Sequence, residues 1–158
     1  MPYPKADKRF AADAMLGRLA RWLRALGYDT QHEPDIDDHD LVARADAEER
    51  IVLTRDRHLV TYLRPRRALL LSSGSPQAQL LEVAEHCGIG MTRDLFTRCL
   101  VCNQRLRAAT DEEIATLVPD QARDRQGPFL RCPGCGRVYW PGSHVRRMRS
   151  VLEELFSD

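Results

Sequence analysis

The rhythm of apolar and polar positions changes once along this chain, near residue 92. Before that point, short apolar runs alternate with amphipathic ones. KRFAADA, at 8–14, reads as a short strand ending near Asp13. MLGRLARWLRALG follows, with Leu16, Leu19, Leu23 and Leu26 at helical spacing and therefore on one face. Arg18, Arg21 and Arg24 fall roughly opposite, and Gly27 is the expected helix stop. YDTQHE reads as a second strand, and Asp38 as the N-cap of a helix through LVARADAEE. RIVLT is a third strand, ending at Arg55 and Asp56. RRALLLSS is a fourth, and PQAQLLEVAEHCG is a helix closed by Gly88. Strands alternating with helices predict right-handed βαβ units, hence an α/β fold with a mainly parallel sheet flanked by helices.

Beyond residue 92 the segments shorten, with turns at Asn103, Gly127-Pro128, Pro133-Gly134 and Pro141-Gly142. One helical patch, DEEIATLVP, is capped by Thr110 or Asp111 and stopped by Pro119. HVRRMRSVLEELF, at 144–156, predicts a final amphipathic helix. The expected organisation is an α/β domain over 1–92 and a small cysteine-bearing module with a tail helix over 93–158.

Composition narrows the class without naming a function. At 43% hydrophobic and 30% charged, the chain has the profile of a soluble globular protein. No apolar run has the length needed to cross a bilayer, and MPYPKADKRF lacks the apolar stretch of a secretory signal. A cytoplasmic address with no membrane partner is expected. The formal net charge of +1 is uninformative, but its distribution is uneven. Residues 33–49 hold eight acids and one arginine, whereas 123–149 hold seven arginines and one acid.

The strongest chemical signal is a doubled turn. Cys99 and Cys102 form one C-x2-C, Cys132 and Cys135 form another, and 29 residues separate the pairs. Two such knuckles, each giving two thiolates, suit a tetrahedral structural Zn²⁺. Asn103 and Gly136 directly follow the knuckles, and these residue types best tolerate the positive φ that aims amides at sulfurs. A redox dithiol usually occurs once, and disulfides belong to secreted chains. Cys87 reads as a small buried hydrophobe rather than a fifth ligand.

A closed four-thiolate site is a fastener, so any chemistry lies elsewhere. Asp13 and Asp56 follow strands, and Asp38 starts a helix. The carboxyl ends of parallel strands form the crevice where open α/β sheets bind ligands. Converging acids suit Mg²⁺ or Mn²⁺, which can activate a water and stabilise charge on a leaving oxygen. Each acid also has a plainer reading, as a cap or an arginine partner.

The strings FAADAMLGRLARWLRALGYDT, DDHDLVARADAEERIVLTRDRHL and YWPGSHVRRM, with the two cysteine turns between them, carry a resemblance. From about Arg9 to Met148 the chain closely resembles the Mut-seven C-terminal RNase domain family. The resemblance implies a PIN-like nuclease fold with an appended zinc ribbon, and a metal-dependent ribonuclease. The family's acids fall on Asp13, Asp38 and Asp56, with Asp37 an alternative because DIDDHD leaves a one-residue ambiguity. The zinc ligands fall on Cys99, Cys102, Cys132 and Cys135. Related nucleases often carry a fourth acid two residues after the position of Asp56, where this chain has His58. His58 would then be a nitrogen ligand, or the site would hold one tight metal.

On this reading the partner is single-stranded RNA, whose backbone and bases would meet Arg18, Arg55 and His58 near the acids. Tyr139, Trp140, His144, Arg146 and Arg147 would contact it from the module. The rival is a catalytically silent zinc-ribbon module that binds RNA or protein, and the missing fourth acid is its best support.

Overall fold

The computed structural model describes residues 3–157. Four parallel strands form its central sheet: β1 (Arg9–Ala12), β2 (Asp29–His32), β3 (Ile51–Thr54) and β4 (Ala68–Leu70), in the order β2-β1-β3-β4. The helices that return the chain are α1 (Gly17–Ala25), α2 (Asp38–Ala47) and α3 (Pro76–Cys87). A five-residue π-helical turn, Leu59–Leu63, lies between β3 and β4. The α/β alternation expected from the sequence is therefore present, with a parallel sheet flanked by helices.

The two-residue period of the strands divides the core into two layers. Phe10, Ala12 and Leu53 face one side, where they pack with Leu16, Leu19, Leu23 and Leu26. Ala11 and Val52 face the other side, against Leu41, Val42 and Ala45 of α2 and Leu59 of the π-helical turn. Leu53 is fully buried in the larger layer. Truncating such a leucine to alanine costs about 2–5 kcal/mol.

Two sequence expectations change here. Arg24 is not on the solvent face of α1, being only 4% exposed. Its Nε donates to the Thr30 carbonyl (2.9 Å) and its Nη1 to the carbonyls of Leu100 and Val101 (both 3.0 Å). A long side chain at the flank of an apolar stripe reached carbonyls that lie far away in sequence. At α2, the N-cap is Asp37 rather than Asp38: its carboxylate accepts the Asp40 N–H at 2.8 Å. Asp38 begins the helix itself.

The second part of the chain is a small antiparallel sheet, β5 (Arg107–Ala108), β6 (Leu130–Arg131) and β7 (Val138–Tyr139), in that order. Between its strands lie α4 (Asp111–Leu117) and the short α5 (Asp120–Arg123). Thr110, not Asp111, caps α4, in a reciprocal capping box with Glu113. The tail helix α6 spans Ser143–Leu155.

This part does not stand apart from the first. Leu100, Met148 and Leu152 are buried in the same apolar layer as Leu19 and Leu23. Arg98 donates to the Gly27 carbonyl (3.0 Å), and the Phe96 N–H to that of Ala25 (2.8 Å). Gly27 is where the close approach needs a glycine. Its φ is +104°, and a Cβ there would lie 2.6 Å from Asp94.

Candidate functional site

The carboxylates come together through the geometry of adjacent parallel strands. Ala12 of β1 pairs beside Leu53 of β3, so the chain leaves both strands at the same edge of the sheet. Asp13 follows β1 directly and Asp56 follows β3 by two residues. Asp38, the first residue of α2, completes the wall of a cleft of about 530 Å³ that Arg55, Gly74 and Gln79 also line. This is the strand-end crevice where open α/β sheets place ligands.

Thr54, the last residue of β3, links two of the acids. It is fully buried. Its hydroxyl donates to Asp13 Oδ2 at 2.7 Å and accepts the Asp56 N–H at 3.0 Å. Asp56 Oδ1 in turn accepts the His58 N–H at 2.9 Å. One oxygen of each of these two acids is thus fixed by the protein. Among the described residues, no further side-chain hydrogen bond and no ion pair engages the carboxylates of Asp13, Asp38 or Asp56. Burial, with the nearby carboxylates of Asp13, Asp56 and Asp37, raises the Asp38 carboxyl above its ordinary value.

Unpaired like charges lining one cleft, each offering hard oxygen donors, fit Mg²⁺ or Mn²⁺. They are less tightly assembled than the cysteines. Among the described residues, Cys99, Cys102, Cys132 and Cys135 form the one group of three or more potential ligands gathered closely enough for a metal ion, with all sulfurs within 4.8 Å of one another.

The cysteine cluster is built from two copies of one turn. In the first, the Asn103 N–H donates to the Cys99 carbonyl (2.9 Å) and the Cys99 N–H to that of Gln104 (2.8 Å). In the second, Gly136 and Cys132 (3.0 Å), then Cys132 and Arg137 (2.8 Å), repeat both bonds. Asn103 and Gly136 close these turns at φ +75° and +81°, in the left-handed region their residue types tolerate. The Sγ atoms of Cys102 and Cys132 lie 3.2 Å apart, and those of Cys99 and Cys135 3.6 Å. A tetrahedron of 2.3 Å Zn–S bonds has edges of about 3.8 Å.

Burial and the surrounding sulfurs push the Cys102 thiol up to about 12. At Cys135 burial acts upward as well, but hydrogen bonds from Arg137, together with those to Cys99 and Cys132, outweigh it and hold the thiol at about 6. Arg24, near Cys99 and Cys102, and Arg137, beside Cys135, place positive charge next to the sulfurs. Four soft donors with such compensation fit Zn²⁺. Cys87 lies outside the cluster, half-buried against the core.

The expected substrate contacts divide. Arg55 lines the acid cleft, and His58 lies beside it against the Tyr62 ring. Arg18 is exposed on α1, and His144, Arg146 and Arg147 are exposed on α6. Tyr139 turns its hydroxyl into the cysteine cluster, 3.1 Å from Cys99 Sγ, and accepts the Leu100 N–H at 3.2 Å. Trp140 is half-buried on a mostly apolar cavity of about 330 Å³ between the small sheet and α6. Every residue lining the acid cleft comes from the first 79 of the chain, so none of the module's rings or arginines reaches it.

Sequence reasoning missed Thr54, Arg24 and the side-chain role of Asn103. For Thr54 a signal existed, since its hydroxyl ends an otherwise apolar strand two residues before an acid. Threonine's strand preference hid it.

No curated protein and no solved structure matches the chain. The family model described as the Mut7-C RNAse domain matches residues 8–152, which include all three cleft acids and all four clustered cysteines. The chain belongs to the Mut7-C RNAse domain family.

Proposed function

We propose that the protein is a ribonuclease that hydrolyses phosphodiester bonds of single-stranded RNA, with Mg²⁺ or Mn²⁺ held by Asp13, Asp38 and Asp56. The observation that carries this reading is the strand-end cleft, where three acids without basic partners meet and Thr54 aligns two of them. When bound, a divalent cation supplies Lewis-acid polarisation of a phosphate oxygen and a water of lowered pKa. The protein supplies position. Thr54 and the His58 N–H hold one oxygen each of Asp13 and Asp56, which leaves the second oxygens free for the cleft. Arg55, exposed at the wall, is placed to hold a non-bridging phosphate oxygen. Water adds to phosphorus, the bond to the 3′ oxygen breaks, and that oxygen takes a proton. The products are a 5′-phosphate and a 3′-hydroxyl.

In this reading zinc on Cys99, Cys102, Cys132 and Cys135 fastens the second part of the chain to the first. Arg18, Trp140, His144, Arg146 and Arg147 then contact RNA away from the scissile bond, through backbone charge and ring stacking. Free thiolate ligands suit a reducing compartment, and the cytoplasm is the location we assign.

The test is cleavage of end-labelled single-stranded RNA with Mn²⁺, with Mg²⁺ and with EDTA, beside identically purified Asp13→Asn and Asp56→Asn. Cutting that needs the metal and disappears in both variants is expected. Equal cutting by all three proteins would trace the activity to a contaminant. Binding without cutting would leave a silent RNA-binding module.

A further inference from the structure

The groove over the acids continues past them. Asp38 and Asp56 also wall a second cleft, of about 620 Å³, whose far side carries His58 and Tyr62. Because the two clefts share these acids, they adjoin as one groove over the carboxylates, with Met15 lining the first cleft and Tyr62 the second. Both residues are conspicuously unburied: Met15 is 92% exposed and Tyr62 68%. The other large apolar side chains lining the two clefts are buried (Leu16, Leu59) or half-buried (Leu63).

Tyr62 is exposed but firmly mounted. It sits in the π-helical turn, whose Leu59 is 2% exposed and packs with Leu41, Val42 and Ala45, while Leu63 packs onto the same layer. The turn closes at Arg64 with φ +48°. Wide π-helical turns inside or beside helices occur often at functional sites. The Tyr62 ring lies 4.2 Å from that of His58, with the planes inclined at 45°. Its hydroxyl makes no hydrogen bond among the described residues. The ring thus rests against His58 on a buried backbone mount, with most of its surface exposed for a ligand to cover.

We propose that Tyr62, braced by His58, is a stacking platform for one unpaired nucleobase next to the bond that lies over the acids, with Met15 touching a base on the opposite side. This rests on the ribonuclease reading. The chemistry of the groove selects the occupant. Carboxylates at its centre repel a phosphate that arrives without a cation, but the uncharged face of a base can settle beside them. A base stacked on Tyr62 therefore carries its phosphate toward Asp38 and Asp56, where a cation would receive it. Exposed Arg55 and Arg57 flank the same segment and disfavour a basic peptide. In a duplex both faces of each base are already stacked, so the platform discriminates for single strands.

The experiment uses the whole chain carrying Asp13→Asn, which is expected to bind RNA without cutting it, and a short single-stranded RNA carrying 2-aminopurine at successive positions. One position is expected to show strong fluorescence quenching. Adding Tyr62→Ala is expected to abolish that quenching and weaken binding about tenfold, while Tyr62→Phe keeps both. In the cutting protein, Tyr62→Ala raises KM about tenfold. An abasic nucleotide at the quenched position costs the wild type the same factor and costs Tyr62→Ala nothing further. Unchanged quenching and KM in Tyr62→Ala, or an abasic loss that persists in it, overturns the platform while leaving the nuclease standing. Tyr62-dependent quenching in a protein that never cuts RNA overturns the nuclease and keeps the platform. Absence of RNA binding overturns both. Because Tyr62 is exposed, its variants should keep the wild-type melting temperature, which is measured alongside.

Discussion

The cysteine cluster and the acid cleft are both candidate metal sites, yet they are built on opposite principles. The sulfurs are held within 4.8 Å of one another by two hydrogen-bonded turns, and Cys99 and Cys132 are fully buried. The acids sit at an open strand edge, and only Asp13 and Asp56 are restrained, through Thr54 and the His58 N–H. A closed, preformed shell suits an ion that never leaves. An open one suits an ion that must share its remaining positions with a substrate. The arginines teach the same lesson. Arg24 and Arg137 compensate the sulfurs, whereas no basic side chain pairs with the cleft acids among the described residues.

The most forceful way to break this comparison is to remove a sulfur. Structural zinc sites carry apparent binding energies on the order of 10 kcal/mol. Cys132→Ser, or prolonged chelation, is therefore expected to abolish cooperative unfolding. Because Arg24 and Asn103 tie the knuckle to α1 and β2, hydrogen exchange should accelerate in those elements as well as in the small sheet. A variant that melts like the wild type would show that the cluster is no fastener.

Asp13→Asn should do the reverse. Cleavage falls about a thousandfold, the size of several kcal/mol of lost transition-state stabilisation. The melting temperature and zinc content stay near wild type. A large loss of stability instead would place Asp13 with the structural groups.

Thr54→Val sharpens the middle ground. Loss of the bridging hydroxyl leaves the Asp56 N–H and an Asp13 oxygen without their partner, at about 1–3 kcal/mol of folding stability. Cleavage should fall about tenfold, and Thr54→Ser should recover most of both. Chemical denaturation and initial rates provide the readouts.

The smallest effect concerns Glu82, which holds the segment that leads into Gly74 of the cleft wall. Partial desolvation opposes ionisation of Glu82, but hydrogen bonds from Ser72 (3.0 Å) and Ser73 (2.6 Å) outweigh it and hold the carboxyl at about 2, against an ordinary 4.5. A depressed carboxyl stabilises the fold above its ordinary value, and that contribution disappears as pH falls toward 2. Glu82→Gln should therefore melt slightly lower at neutral pH and converge with the wild type by about pH 2. Thermal melts between pH 7 and 2 would expose a failure to converge.

How much of this was legible in the sequence depended on range. The four strands and the helices with leucine periodicity were readable because their signal is local and repetitive. The cysteine turns were readable because knuckle spacing and the residue after each knuckle are dictated by backbone geometry. Asp37 and Asp38 were not separable, since either can cap a helix. The hydrogen bond from the Asp40 N–H assigns the cap to Asp37, and Asp38 is the one of the two that lines the cleft with Asp13. Arg24 and Tyr139 defeated the reading for one reason. Each carries a polar tip on a long body, and its partner lies 76 and 40 residues away. Such a tip appears solvated until the fold supplies a distant acceptor or donor.

Asn103 does more than complete a turn. β2 is an edge strand of the parallel sheet. Its Thr30 N–H donates to Asn103 Oδ1 (2.9 Å) and its Thr30 carbonyl accepts from Arg24 (2.9 Å), while Asn103 Nδ2 reaches Asp29 (2.7 Å). The knuckle therefore acts as a guard along an otherwise open β edge, where a second chain could add its own strand. Oxidation or demetallation of the cysteines would uncover that edge. If the cluster holds zinc as proposed, the first consequence of its loss would be self-association, with insoluble protein appearing before any inactive monomer.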